Sequence, residues 1–139
     1  MDTVIVLDEM VRVPVLAMNV EPSQPPRAGD AYVKLHQPAS GFAVVGVAAR
    51  VLLAEDGTVT QVGVGITGVG AKAYRATAVE EALKGKSPGS KRLEEAASHA
   101  ADGVQANADL YASAEYRAHL ARVYARRALE KAVERASGK

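Results

Sequence analysis

The chain has 139 residues, the size of one domain, and 48% of them are hydrophobic, which is enough to bury a core. Its 17 basic and 16 acidic residues leave a formal net charge of +1, which gives no reason to expect nucleic acid or an anionic membrane as a partner. It has no cysteine, which excludes disulfides, thiolate-bound metals, iron–sulfur clusters and a cysteine nucleophile.

The N-terminal part is predicted to form strands and a linker. Residues 4–7 and 11–20 are rich in Val, Ile and Leu, and Pro14 restricts the second strand to a sheet edge or divides it into two short pieces, because proline cannot donate to a ladder. Residues 21–30 form a linker or loop by composition. The start has no basic leader and no apolar run reaches the roughly 18 residues of a membrane span, so we expect a cytoplasmic protein without such a span.

A half-buried strand is predicted at residues 31–36, before a turn at residues 37–41. Its residues alternate, which puts Tyr32, Lys34 and His36 on one face. An aromatic ring, an amine and an imidazole in a row would suit a stacked, hydrogen-bonded ring such as a flavin. The alternative is the solvent-facing side of an edge strand, because one-sided sheets alternate in the same way.

Two more strands follow, joined by a tight turn. Residues 42–54 are apolar with little alternation, which is typical of a central strand. Asp56-Gly57 comes next, and this dipeptide between apolar runs predicts a hairpin. Residues 58–66 alternate again, except that Val62 is out of step and indicates a bulge.

The period then changes from strands to helices. Thr77 and Glu80 match a capping box, which predicts a helix from there to Lys84 with Gly85 as its stop. A second helix is predicted from residue 90 to about residue 101.

A third, long helix is predicted from the Ser113 cap to about residue 136, with Gly138 beyond its end. Its apolar face is predicted to consist of Tyr116, Leu120, Val123, Tyr124 and Ala128. A row of small side chains permits close approach to a sheet or helix: Ala121, Ala125, Ala128 and Ala132. Its arginines are predicted to form a solvated face: Arg117, Arg122, Arg126, Arg127 and Arg135.

The order of the elements predicts the fold class. Strands come first and helices after, so we expect an α+β two-layer sandwich: an antiparallel sheet of three to four strands followed by about three helices packed on one face. Residues 1–25 are assigned to an N-terminal strand segment with a proline-rich linker, and residues 26–139 to the main domain.

Motifs for catalysis or nucleotide binding are weak. The histidines His36, His99 and His119 do not have metal-ligand spacing, so no metal site is assigned. The run from Gly63 to Gly68 matches G-x-G-x-x-G. A dinucleotide site requires a helix that opens at the end of this motif, but here no helix is signalled until residue 77. The alternative is a strand whose glycines let another backbone approach closely.

Four segments together resemble one family: residues 26–35, 40–49, 68–85 and 113–129. In order and spacing they resemble the first strand, the next strand, the glycine turn with the first helix, and the last helix of one domain. It is the C-terminal domain of the FAD-binding medium subunit of CO dehydrogenase/xanthine dehydrogenase-type molybdenum hydroxylases. The resemblance implies the fold of that domain.

The resemblance implies part of an enzyme. In this family the medium subunit binds FAD and passes electrons from the iron–sulfur clusters of a small subunit to an acceptor, while a large subunit oxidises the substrate at molybdopterin. FAD is held mainly by two glycine-rich loops of other domains, which have no counterpart in this sequence. The resemblance marks Tyr32, Lys34 and His36 as flavin-adjacent, although His36 and Gln37 replace arginines common in the family.

From this we expect the C-terminal module of a molybdenum-hydroxylase flavoprotein subunit, which contributes to subunit docking and to the flavin surroundings and is not catalytic alone. FAD is not expected to bind this chain by itself, and no catalytic residue is assigned. The implied partners are the molybdopterin large subunit and the iron–sulfur small subunit. The alternative is a stand-alone homo-oligomeric domain derived from that subunit, with a structural or small-ligand-binding role.

Overall fold

The computed structural model describes residues 27–36, 43–108 and 112–138. Within them the strands are β1 (Ala28–His36), β2 (Ala43–Leu53), β3 (Val59–Thr67) and β4 (Tyr74–Arg75), and the helices are α1 (Thr77–Leu83), α2 (Ser90–Ala97) and α3 (Ala114–Ala136). The α+β architecture expected from the order of elements is confirmed. The strands predicted at residues 4–7 and 11–20 and the turn at residues 37–41 lie outside the described residues.

The strands form one antiparallel sheet in the order β1-β2-β3-β4. The predicted turn joins β2 to β3, where Gly57 has a φ of 90° that favours glycine. The Asp56 carboxylate accepts a hydrogen bond from the Thr58 backbone N–H at 3.0 Å. Because this bond and one from the Thr58 hydroxyl favour the ionised form, the pKa of Asp56 lies below its usual value.

The structure corrects two predicted details of the sheet. The bulge predicted at Val62 lies two residues earlier: Leu53 pairs with Val59 while Leu52 pairs with Gln61, so Thr60 is the extra residue. The loop predicted through residue 30 is wrong at its end, since β1 already begins at residue 28 and pairs with β2 from there. The pairing partner overrides the loop-like local composition.

The core lies between one face of the sheet and the helices. Helix α3 packs across β1, β2 and β3, and α1 packs against β3. The alanine row predicted for α3 is fully buried, since small side chains let the helix approach the sheet: Ala121, Ala125, Ala128 and Ala132. In the part of the chain that the structure describes, no helix is long and apolar enough to cross a bilayer.

The start of α1 corrects one prediction. Its N-cap is Ala76, and the capping box predicted for Thr77 and Glu80 is wrong, because no side chain caps this helix. Glu80 instead turns toward the sheet, where its carboxylate accepts the buried Val64 N–H at 3.0 Å. A buried N–H without a partner is costly, so the sheet competes successfully for this carboxylate.

The helix ends are partly as predicted. Helix α1 ends one residue earlier than predicted, and Gly85, with a φ of 79°, follows it as expected. Helix α2 ends at Ala97, and turns replace the predicted continuation to residue 101. The Ser113 cap of α3 is confirmed, since its side chain accepts the N–H of Tyr116 at 3.1 Å.

The faces of α3 differ from the prediction at two positions. Arg117, predicted to be solvated, is only 6% exposed and donates to the carbonyl of Gly68 at 2.8 Å. Tyr116, predicted to be apolar core, is 46% exposed. The buried alanine row sets the rotation of the helix, which turns position 117, four residues before Ala121, toward the sheet and position 116 away from it.

Candidate functional site

The predicted site lies on the sheet face that is turned away from the helices. Cross-strand partners share a face, so the pairings of Tyr32 with Ala48, Ala48 with Gly65, and Gly65 with Arg75 form a row across all four strands. We call this surface the Tyr32 face. Two flanking rows complete it: Lys34, Gly46 and Thr67 on one side, and Asp30, Arg50 and Gly63 on the other.

Tyr32 lies across the backbone of its neighbouring strand. Its phenol oxygen is 2.6 Å from the position that a Cβ at Gly46 would take, so only glycine leaves room for this rotamer. Burial raises the pKa of Tyr32 above its usual value, because a phenolate loses hydration there. The Lys34 Nζ lies 6.0 Å from the centre of the Tyr32 ring, at the outer limit of a cation–π contact.

Two arginines on the Tyr32 face are held by carboxylates. Arg50 Nη2 lies 2.8 Å from Asp30 Oδ2, directly across the β1–β2 pair. Arg75 Nε lies 2.9 Å from Oε2 of Glu80, which is 7% exposed. Between these pairs the strands carry only small residues, and these are buried: Gly46, Ala48, Gly63 and Gly65. This arrangement combines a floor of small residues with an aromatic ring and fixed cationic donors.

The structure brings together two of the three predicted site residues. Tyr32 and Lys34 share a face and lie in adjacent rows. His36 continues β1 after a register shift that follows Leu35, and its backbone pairs with Ala43. The side chain of His36 lies outside the described residues.

Sequence reasoning missed the other members of the Tyr32 face. The position of Arg50 on this face could have been predicted, because counting back from the Asp56-Gly57 turn places it opposite Gly63. The position of Arg75 could not, because β4 is only two residues long and its pairing with Gly65 has no signal in the local sequence.

The other candidate chemistry is not supported by the geometry. Gly63 and Gly65 lie inside the antiparallel strand β3, and the next helix begins only at Thr77, so the strand–turn–helix context of a dinucleotide fingerprint is absent from this described segment. His99 Nδ1 lies 2.6 Å from Asp102 Oδ2 in an exposed turn after α2. Among the described residues, no three side chains of His, Asp or Glu converge on a metal position.

Comparisons with known proteins point to one family. The family model for the CO dehydrogenase flavoprotein C-terminal domain matches residues 30–132. The structure of carbon monoxide dehydrogenase from Hydrogenophaga pseudoflava lacking the Mo-pyranopterin moiety of its molybdenum cofactor superposes with a TM-score of 0.74 at 31% identity, over 81% of this chain. Reconstituted CO dehydrogenase from Oligotropha carboxidovorans gives 0.73 at 28% identity, also over 81% of this chain.

A third structure shares the fold alone. Quinoline 2-oxidoreductase from Pseudomonas putida 86 has a TM-score of 0.72 at 22% identity, over 80% of this chain. In all three cases the match spans 39% of the length of the other chain. A comparison with curated proteins gave no match.

Proposed function

Because this chain belongs to the family of CO dehydrogenase flavoprotein C-terminal domains, we propose that it is the C-terminal module of a molybdenum-hydroxylase flavoprotein subunit. In this role it supplies one wall of the flavin surroundings in electron transfer and docks on neighbouring subunits, without catalysing alone. The proposed partners are a molybdopterin large subunit and an iron–sulfur small subunit, and the proposed location is the cytoplasm.

The observation that supports a flavin wall is the row that runs from Tyr32 over Ala48 and Gly65 to Arg75. The floor itself is buried, with Ala48 at 0% exposure, so a flat ring meets this face at its rim, where the half-buried Tyr32 ring offers a stacking surface. Lys34, which is exposed, and Arg75 can donate hydrogen bonds to ring carbonyls or nitrogens from opposite ends of the face. When bound, a flavin supplies the exchange between two-electron and one-electron transfer.

The fit is one-sided. The described residues offer a ring wall, but the glycines of β3 are engaged in the sheet and do not form a phosphate cradle at a helix start. Most of the affinity for FAD therefore comes from elsewhere in the assembly. We expect the isolated chain to bind flavin weakly, with a Kd on the order of 1 mM, and to purify without it.

The test is a titration of the isotope-labelled chain with FMN, followed by backbone amide chemical shifts. We expect FMN to shift the amides of Tyr32, Ala48 and Gly65, and ADP, which has no flavin ring, to leave them in place. The variant Lys34→Gln is expected to weaken the response to FMN about threefold, the size of one partly exposed charged contact. Lys72→Gln removes the same charge from an exposed bend outside this face and serves as the control.

Two results would contradict the proposal. If FMN at several times its expected Kd shifts no amide of the Tyr32 face, the face is not a flavin wall. If the chain purifies with one FAD per molecule, it holds the cofactor by itself and is more than a partial module. A stable homo-oligomer in light scattering, with ligand-induced shifts on this face by compounds other than flavins, would favour the stand-alone alternative.

A further inference from the structure

A groove between α2 and α3 lies on the helical side of the molecule, away from the Tyr32 face. It has a volume of about 240 Å³ and is lined by residues of both helices: Glu94, Ala97, Ser98, His119, Arg122, Val123 and Arg126. This is smaller than the roughly 300–1,000 Å³ of typical ligand pockets, and the polar walls are largely open to solvent. The size and openness suit an inserted side chain of another protein rather than an enclosed small molecule.

The groove has an apolar floor and a positive rim. Ala97, which is 2% exposed, and the half-buried Val123 form the floor. The rim carries two guanidinium groups, and one of them, on Arg126, is paired with Glu94 at 3.3 Å and with Glu130, one turn further along α3, at 3.5 Å. In the described part of the chain neither Arg122 nor His119 has a hydrogen bond or ion pair. Their side-chain N–H groups can therefore donate to an acceptor at their end of the groove.

A stripe along α3 extends the groove beyond its own length. Tyr116, at 46% exposure, is the exposed large hydrophobic residue of the described chain, and it lies one turn before His119. Spacings of three and four residues bring Tyr116, His119 and Val123 onto one face of the helix. From position 116 to position 126 the stripe covers about 15 Å, which corresponds to roughly three turns of a facing helix.

We infer that this groove docks an acidic amphipathic helix of a partner protein. An aliphatic side chain of that helix inserts between Ala97 and Val123, and a carboxylate one turn away contacts Arg122 and His119. The stripe around Tyr116 packs against the next turn. The helix fixes the backbone positions of these donors before binding, so only their side chains have to be ordered on association. The inference rests on the proposed function only in treating the chain as part of a larger assembly.

The test uses the full chain and a blocked, helical 12-residue peptide with one leucine and a glutamate four positions from it. Amide shifts report the site, and fluorescence anisotropy of the labelled peptide reports the affinity. We expect shifts at Ala97, Val123 and Arg122, and weaker binding with added salt, since exposed charges are screened. Arg122→Gln is expected to weaken binding about threefold to tenfold, as loss of a charge-assisted contact does.

The matched control is Arg127→Gln. It removes the same charge from the same helix, but Arg127 lies over the Tyr124 ring, with 5.0 Å from the guanidinium carbon to the ring centre, and does not line the groove. Unchanged affinity in this variant supports the assignment. Equal losses in both variants would overturn it, because the effect would then be one of net charge.

Other outcomes would also overturn the inference. Equal binding by a peptide with glutamine in place of glutamate would show that the charged rim does not contribute to docking. Saturation of the groove by inorganic phosphate at the affinity of the peptide would identify a small-anion site instead. A dimer in light scattering that Val123→Asp abolishes would assign the groove to a second copy. None of these results depends on the FMN titration, so failure of the docking inference and failure of the flavin proposal are distinguishable.

Discussion

The phenol oxygen of Tyr32 occupies the space that a side chain at Gly46 would need, since it lies 2.6 Å from the Cβ position there. The two residues belong to neighbouring strands, and the Tyr32 ring crosses to Gly46 rather than to its direct partner Ala48. The orientation of the aromatic residue on the candidate flavin wall therefore depends on a glycine in the adjacent strand.

Gly46→Ala is the direct test of this dependence. The new methyl group collides with the end of the Tyr32 side chain and lies 3.1 Å from Thr67 Cγ2, so we expect the ring to tilt toward solvent at a cost of about 1 kcal/mol in the free energy of unfolding. The pKa of Tyr32 should then return toward its usual value of 10.0, because its raised pKa is due to burial. The measurement is an ultraviolet titration of tyrosinate, with Tyr32→Phe to assign the signal. Gly89→Ala is the control for the titration, since a Cβ there meets nothing within 4 Å, and it should leave the pKa of Tyr32 unchanged.

A second prediction concerns the contact between β1 and α3. A Cβ at Gly29 would lie 2.1 Å from the carbonyl oxygen of Ala132 and 2.4 Å from the N of Ala136, and both atoms are backbone. Neither can move without shifting the helix, so Gly29→Ala should cost at least about 2–3 kcal/mol in urea unfolding. Gly89 is the N-cap of α2, and Gly89→Ala should cost only a small fraction of this loss, because alanine is a weaker cap than glycine. Equal midpoints for the two variants would show that strand and helix are not in close contact.

A third prediction concerns the buried carboxylate that was expected to cap α1. Glu80 accepts from Val64 N–H and from Arg75 Nε, and Glu80→Gln removes the charge from both bonds. We expect a loss of about 2 kcal/mol in the free energy of unfolding, as for a hydrogen bond to a charged group. Glu81→Gln changes the adjacent, exposed residue and should have almost no effect. If both variants lose the same amount, the contact with the sheet is not what holds this helix.

A fourth prediction is a dependence on pH at the alkaline end. The Tyr74 hydroxyl donates to the carbonyl of Ala100 at 2.8 Å, and burial raises the pKa of Tyr74 to about 12. Because the folded pKa lies above the unfolded value of 10.0, the contribution of the neutral phenol is fully present below pH 10 and is lost as the pH rises toward 12.

Tyr74→Phe should therefore cost about 1 kcal/mol at neutral pH, through the lost hydrogen bond, and should make the fall in stability between pH 10 and pH 12 shallower. The measurement is urea unfolding at a series of pH values. Tyr116→Phe, which changes an exposed hydroxyl, is the control and should follow the parent curve. A parent and a Tyr74→Phe variant with parallel curves above pH 10 would contradict the assignment.

The sequence by itself determined the elements whose signals are local. The Asp56-Gly57 turn, the Ser113 cap and the Gly85 stop each depend on residues within a few positions, and all three are present as predicted. Alternation along β1 likewise put Tyr32 and Lys34 on one face. These features follow from the backbone preferences of single residues and from the two-residue period of a strand, which need no knowledge of the rest of the fold.

Only the tertiary structure decided which surface each ambiguous side chain joins. The Glu80 carboxylate could accept a hydrogen bond at the start of α1 or from the sheet. In the structure it accepts the buried N–H of Val64 and does not cap the helix. Arg117 reached the carbonyl of Gly68, 49 positions away in the chain, because the alanine row fixed the rotation of α3 against the sheet. In both cases burial made an unpaired polar group more costly than the local preference was worth, and the partner that satisfies it lies far away in the sequence.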